Sequence, residues 1–144
     1  MNDFLRVCEV AKLRGAEVRL VADGRWSASN CGKLIMVNMA ELPKWTQFLR
    51  EHVGADAVTC EWAVATWFVA HELGHYELHG DTNPARYDAD PAYKACREHE
   101  ANMFARRFLT ETAGLAVNEA AESCRRIVEK VRDKSPARRH ATRL

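Results

Sequence analysis

The sequence predicts an α+β fold, with a small antiparallel sheet of about three strands and several longer helices. Three observations point there. Residues Val18 to Met39 form short alternating or apolar stretches separated by turn residues. From Thr59 onward, apolar residues recur instead at three- and four-residue spacing, over runs too long for ordinary strands. The 144 residues are one domain's worth, enough for a single sizeable core. We expect one domain over residues 1–133 and a basic, flexible tail over residues 134–144.

In chain order, Asn2 or Asp3 is placed to cap a first helix that runs to about Arg14 and ends at Gly15. Its inner stripe is Phe4, Val7, Cys8 and Ala11, a core pattern. Val18 to Val21 alternates weakly and precedes the turn signal Asp23-Gly24. Trp26 to Cys31 is a further strand or a loop, and Lys33 to Met39 is the clearest strand. If one strand is an edge beside the functional helix, it offers pairing to an extended peptide; the plainer reading is an edge that merely ends the sheet. Glu41 to about Val53 is a short amphipathic segment with Trp45, Phe48 and Leu49, closed by Gly54. A long helix follows over Thr59 to His79, broken by Gly80-Asp81-Thr82-Asn83-Pro84. Asp81 to Pro91 is expected to be loop, Ala92 to Thr110 a second long helix, and Leu115 to Val131 a third.

Composition narrows the function class. A hydrophobic share of 47% with 28% charged residues is that of a globular protein, and the net charge of +1 gives no reason to expect nucleic-acid or membrane binding. The tail from Lys130 carries six basic residues against Asp133, which we read as a solvated terminus rather than a nucleic-acid contact. The five cysteines are odd in number, widely spread and without a Cys-x-x-Cys pair, which favours reduced thiols. No secretory signal and no apolar run near the ~20 residues of a membrane span is visible, so a cytoplasmic location is expected.

The chemistry lies in His71-Glu72-Leu73-Gly74-His75. Four residues on a helix advance about 400°, so His71 and His75 point the same way, one turn apart. Two imidazoles so placed can each put a nitrogen about 2.0–2.1 Å from one zinc ion. Glu72 flanks the metal without needing to bind it, the position of a general base in metallopeptidases. The plain alternative is a helix with two histidines satisfied by the core or by solvent.

A catalytic zinc usually takes a third protein ligand. Glu98, His99 and Glu100 are the candidates. Glu100 shares its helix face with Cys96, Met103 and Phe104, an apolar setting in which a metal would offset the cost of a buried carboxylate. Glu98 lies on a more polar strip, and a third histidine ligand is chemically sound. We rank Glu100 first, then Glu98, then His99. His79 is one turn beyond His75, and His71 and His79 are about 12 Å apart along the axis, too far to share an ion. It is expected to support a ligand, to act as a helix-end cation or to be neutral and structural. Tyr76, Tyr87, Tyr93, Arg97 and His99 are candidates for stabilising an oxyanion.

The run Trp67 to His79 resembles the metal helix of the ImmA/IrrE family of bacterial and phage zinc metallopeptidases. Glu98-His99-Glu100-Ala101-Asn102-Met103-Phe104-Ala105 resembles that family's Glu-x-Glu-Ala-Asn-x-Phe-Ala segment, and Leu34 to Asn38 its strand ending in Asn. The similarity spans about Val18 to Leu109. It implies zinc bound by His71, His75 and Glu100, Glu72 as general base, and a small sheet packed on a helical metal-binding core. It also implies cleavage of a helix-turn-helix transcriptional repressor of a phage, another mobile element or a stress response. The chain has no room for such a repressor domain, so the repressor is expected to be a separate partner. Where the family often continues to Leu-Met-Pro, this sequence has Phe108-Leu109-Thr110-Glu111.

Two functions compete at this stage. One is a narrow-specificity zinc endopeptidase acting on a protein substrate. The other is a non-catalytic, metal-stabilised protein-binding module, for example a phage or toxin–antitoxin component. An intact Glu72 favours the first, because binding alone needs the ligands but not the base.

Overall fold

The structure, a computed structural model, describes residues 2–22, 28–31, 33–53, 61–80 and 82–112. The Asp23-Gly24 turn, the start of the metal helix at Thr59, the helix expected over Leu115 to Val131 and the basic tail lie outside the described residues. The order of elements is α1 (Asn2–Leu13), β1 (Glu17–Val21), β2 (Ala28–Cys31), β3 (Leu34–Asn38), α2 (Leu42–Val53), α3 (Glu61–Leu78), α4 (Pro84–Ala89), α5 (Pro91–Arg107) and a π-helical turn (Phe108–Thr112). The α+β class is as expected.

The sheet corrects the expectation in one respect. Its order is β1-β3-β2; β2 pairs antiparallel with β3, but β1 pairs with β3 in parallel, Glu17 opposite Leu34 and Val21 opposite Asn38. Chain length explains both. Only two residues separate β2 from β3, which permits only an antiparallel neighbour, whereas a parallel pair needs a crossover of about a dozen residues. The segment between Val21 and Leu34, which contains β2, supplies that crossover. The central strand turns Ile35 and Val37 into the core, both fully buried.

α3 is the element that the others cover. Its residues from Val64 to Gly74 are all buried, and it packs against α1, α2, α5, β2 and β3. A helix apolar all round must be enclosed on every side, and the sequence up to Leu73 has no charged face that would leave one side in water. Phe4, Val7 and Ala11 of α1 contribute one wall; Trp45 of α2 meets Phe68 edge-on at 5.6 Å between ring centroids. Gly15 ends α1 at φ 90°, a conformation that favours glycine. Beside it, Arg14 holds Glu77 through both carboxylate oxygens at 2.8 and 2.9 Å and lies over the Phe108 ring, tying α1 to the ends of α3 and α5.

The stretch expected to be loop before α5 holds α4 instead. Asn83 accepts from the Arg86 amide at 3.1 Å and Pro84 opens the helix, a cap strong enough to start a short turn. Asp90 then closes α4 and opens α5, its side chain accepting from the Ala92 and Tyr93 amides at 3.1 Å each. The Tyr93 amide holds the Asp90 carboxyl below the usual carboxylate range. No helix among the described residues is long and apolar enough to cross a membrane.

Candidate metal centre

α3 and α5 lie against each other because both present small residues at their crossing. A Cβ added at Gly74 would sit 3.2 Å from both the Ala101 Cα and the Ala101 carbonyl oxygen. The buried face of α5 is therefore Ala101, Asn102 and Ala105, none of them bulky. That choice of face sets which side chains reach α3. Glu98 and Asn102, one turn apart on α5, both meet the histidines.

His71 Nε2 lies 3.1 Å from Glu98 Oε2, His75 Nε2 lies 3.1 Å from Glu98 Oε1, and the two Nε2 atoms are 3.0 Å apart. Among the described residues, His71, His75 and Glu98 are the group whose donor atoms converge as metal ligands do. Two atoms each about 2.0–2.1 Å from a tetrahedral ion would be about 3.3 Å apart, close to these separations. The protonation pattern fits an ion as well. His71 Nδ1 lies 2.8 Å from Asn102 Oδ1, which can only accept, so Nδ1 carries the proton of the neutral ring. His71 Nε2 is thus left with a lone pair directed at the group. His71 is wholly buried and Glu72, the next residue on the same helix, is 7% exposed.

Glu100, ranked first as the third ligand, is not in this group. It sits on the other side of α5, where its carboxylate meets His79 Nε2 at 3.2 Å and the Cys96 thiol at 3.1 Å. The Cys96 thiol first, and then His79, hold its carboxyl below the usual range. The physical reason is that an apolar neighbour is not a buried one. Cys96 is exposed and Met103 is 43% exposed, so the face that suggested burial for Glu100 looks outward. His99 is exposed and does not join the group.

The other polar candidates divide. The Tyr87 hydroxyl donates to Glu98 Oε1, carried there by α4. Tyr93 is engaged elsewhere, with the Arg97 guanidinium on its hydroxyl at 3.2 Å and Arg86 over its ring. The Arg97 contact draws the Tyr93 phenol below its ordinary pKa. Tyr76 is half-buried near Gly15. Asn102 has no role in the sequence reading, where its signal is a lone amide beside Ala101 and Ala105, one turn from Glu98. Of the cysteines among the described residues, Cys8 and Cys96 are free thiols, and burial pushes Cys8 up to about 11.

Residues 65–135 match the family model described as Peptidase_M78, the IrrE N-terminal-like domain. This stretch is an IrrE N-terminal-like domain. The resemblance to the ImmA/IrrE family is thereby borne out, and the match contains all three members of the metal group together with Glu72. No curated protein and no solved structure matches the chain. Within the M78 domain, α3 supplies the two histidines and α5 the carboxylate, with α4 between them.

Proposed function

We propose that the chain is a zinc-dependent endopeptidase that hydrolyses a peptide bond in a specific protein, with His71, His75 and Glu98 as the metal ligands and Glu72 as general base. The observation that carries this reading is the convergence of two imidazole nitrogens and a carboxylate at 3.0–3.1 Å, directly beside a buried glutamate. Zinc bound there would supply Lewis acidity toward the scissile carbonyl and toward water. Glu72 takes the proton of the attacking water and returns it to the leaving amine. Asn102 keeps the His71 ring in the tautomer whose Nε2 carries a lone pair. The Tyr87 hydroxyl holds Glu98 Oε1 from α4. By family resemblance the substrate is a helix-turn-helix transcriptional repressor.

The test compares wild type with Glu72→Gln in cells and maps new protein N-termini. A glutamine keeps the shape but cannot accept the proton, so zinc content should stay at the wild-type level while cleavage falls by about 10²–10⁴. One or a few substrates, cut only with Glu72 intact, are expected. A Glu72→Gln variant that retains full biological function would make the metal-stabilised binding module the better account.

A further inference from the structure

We propose that His79 and Glu100 are positioning residues that set the tautomer and orientation of His75. The inference rests on the reading of His71, His75 and Glu98 as ligands. A chain of two contacts runs behind His75: Glu100 Oε2 lies 3.2 Å from His79 Nε2, and His79 Nδ1 lies 2.9 Å from His75 Nδ1.

Proton counting fixes the direction of the chain. Glu100 Oε1 takes the Cys96 thiol and Glu100 Oε2 faces His79 Nε2, so the carboxylate accepts there and His79 Nε2 carries a proton. A neutral imidazole has one N–H, which leaves His79 Nδ1 as an acceptor. The proton between the two Nδ1 atoms therefore belongs to His75. His75 Nε2 is then bare, and it is the atom that faces His71 and Glu98 at 3.0 and 3.1 Å. Glu100 thus reaches the ligand group through two protons, without touching it.

The supports of His79 suit this task. Its residue is 5% exposed although it lies one position beyond the end of α3. Its amide donates to the His75 carbonyl at 2.9 Å and its carbonyl accepts from the Thr82 amide at 3.0 Å, so the backbone is held on both sides. The two ligand imidazoles are then each braced from behind, His71 by Asn102 in one bond and His75 by His79 and Glu100 in two. A separate metal site on His79, Glu100 and Cys96 is not favoured, since the group that converges among the described residues is the one formed with Glu98.

Two pairs of variants in the zinc-loaded full chain separate positioning from mere packing. In His79→Asn the amide oxygen takes the place of Nδ1 and still accepts from His75; in His79→Gln the amide can still reach Glu100 but leaves His75 Nδ1 without its acceptor. Zinc affinity by chelator competition should stay near wild type in His79→Asn and fall about 10–100-fold in His79→Gln. Likewise Glu100→Gln should stay near wild type, Glu100→Ala should weaken zinc while keeping its stoichiometry at saturation, and Glu98→Ala should lose the metal. Independently of any variant, long-range ¹⁵N–¹H spectra of the wild type should show His75 as the Nδ1–H tautomer and His79 as the Nε2–H tautomer.

Equal effects of His79→Asn and His79→Gln, or an Nδ1–H tautomer at His79, would overturn the positioning role alone. Loss of zinc from Glu100→Ala with retention in Glu98→Ala would make Glu100 a ligand and also overturn it. A wild type that takes up no zinc would instead sink the ligand reading, and the positioning role with it.

Discussion

Gly74→Ala pits two effects of known sign against each other. In an ordinary helix interior the change gains about 1 kcal/mol, because alanine loses less backbone freedom than glycine. At Gly74 the new Cβ would lie 3.1 Å from Phe104 Cδ1 and 3.2 Å from the Cα and carbonyl oxygen of Ala101. The Phe104 ring can turn aside, but the Ala101 backbone belongs to α5 and cannot yield without moving the helix. Overpacking of this kind costs about 1–3 kcal/mol. The net expectation is destabilisation of up to about 2 kcal/mol, a drop of several degrees in melting temperature for a chain of this size. The movement has a second consequence, because α5 carries both Glu98 and Asn102. Pushing it away by a few tenths of an ångström should weaken zinc as well as the fold. Gly80→Ala is the internal control, since nothing lies within 4 Å of a Cβ there, and it should be neutral or slightly stabilising. The assay is thermal unfolding with and without zinc, alongside chelator competition. A Gly74→Ala protein that melts higher than wild type and binds zinc unchanged would refute the close-approach argument.

Other outcomes follow from the same geometry. Asn102→Ala removes the acceptor behind His71 Nδ1 and should lower zinc affinity about 10–100-fold; unchanged competition against a chelator would count against that role. Trp67→Ala empties a site 2% exposed in the middle of α3 and should cost about 3–5 kcal/mol in a urea titration, much of a typical domain's stability. Asp90 has a lowered carboxyl pKa from the amides it caps, so its contribution is present above the ordinary carboxylate pKa and is lost as pH falls through the lower folded value. Asp90→Asn still caps but does not titrate, so the gap in urea midpoint between it and wild type should shrink from pH 6 toward pH 3. A constant gap would show that ionisation of Asp90 plays no part.

The pairing of His71 and His75 was legible because one helix holds both, and the burial of that helix follows from its own composition. The first helix was legible for the same reason: Phe4, Val7 and Ala11 are buried as their spacing implies. The third member of the metal group was not, since the facing side of α5 is chosen by how closely two backbones can approach. Gly74 and Ala101 decide that approach, and small residues leave a faint hydrophobic signal. Ranking Glu100 by its larger apolar neighbours weighed side-chain bulk, whereas the closeness of the two helices is what brings Glu98 to the histidines. The parallel pairing of β1 was hidden too, because local alternation shows that a strand exists but not which edge it joins. α4 is short enough for its caps to outweigh its composition, and caps at Asn83 and Asp90 also read as loop residues.

The enclosure of α3 bears on where folding autonomy resides. The segment matched at residues 65–135 carries every member of the metal group, but the surfaces that enclose α3 come in large part from earlier in the chain. Phe4, Val7, Ile35, Val37, Leu42 and Trp45 all precede it and are all buried. A fragment cut at residue 65 would hold His71 and His75 on an apolar helix without the α1, sheet and α2 side chains that cover it. Moving α3 into another setting would require α1, the sheet and α2, or surfaces like theirs, to travel with it. The unit that recombination can shuffle intact is therefore larger than the signature by which the family is recognised.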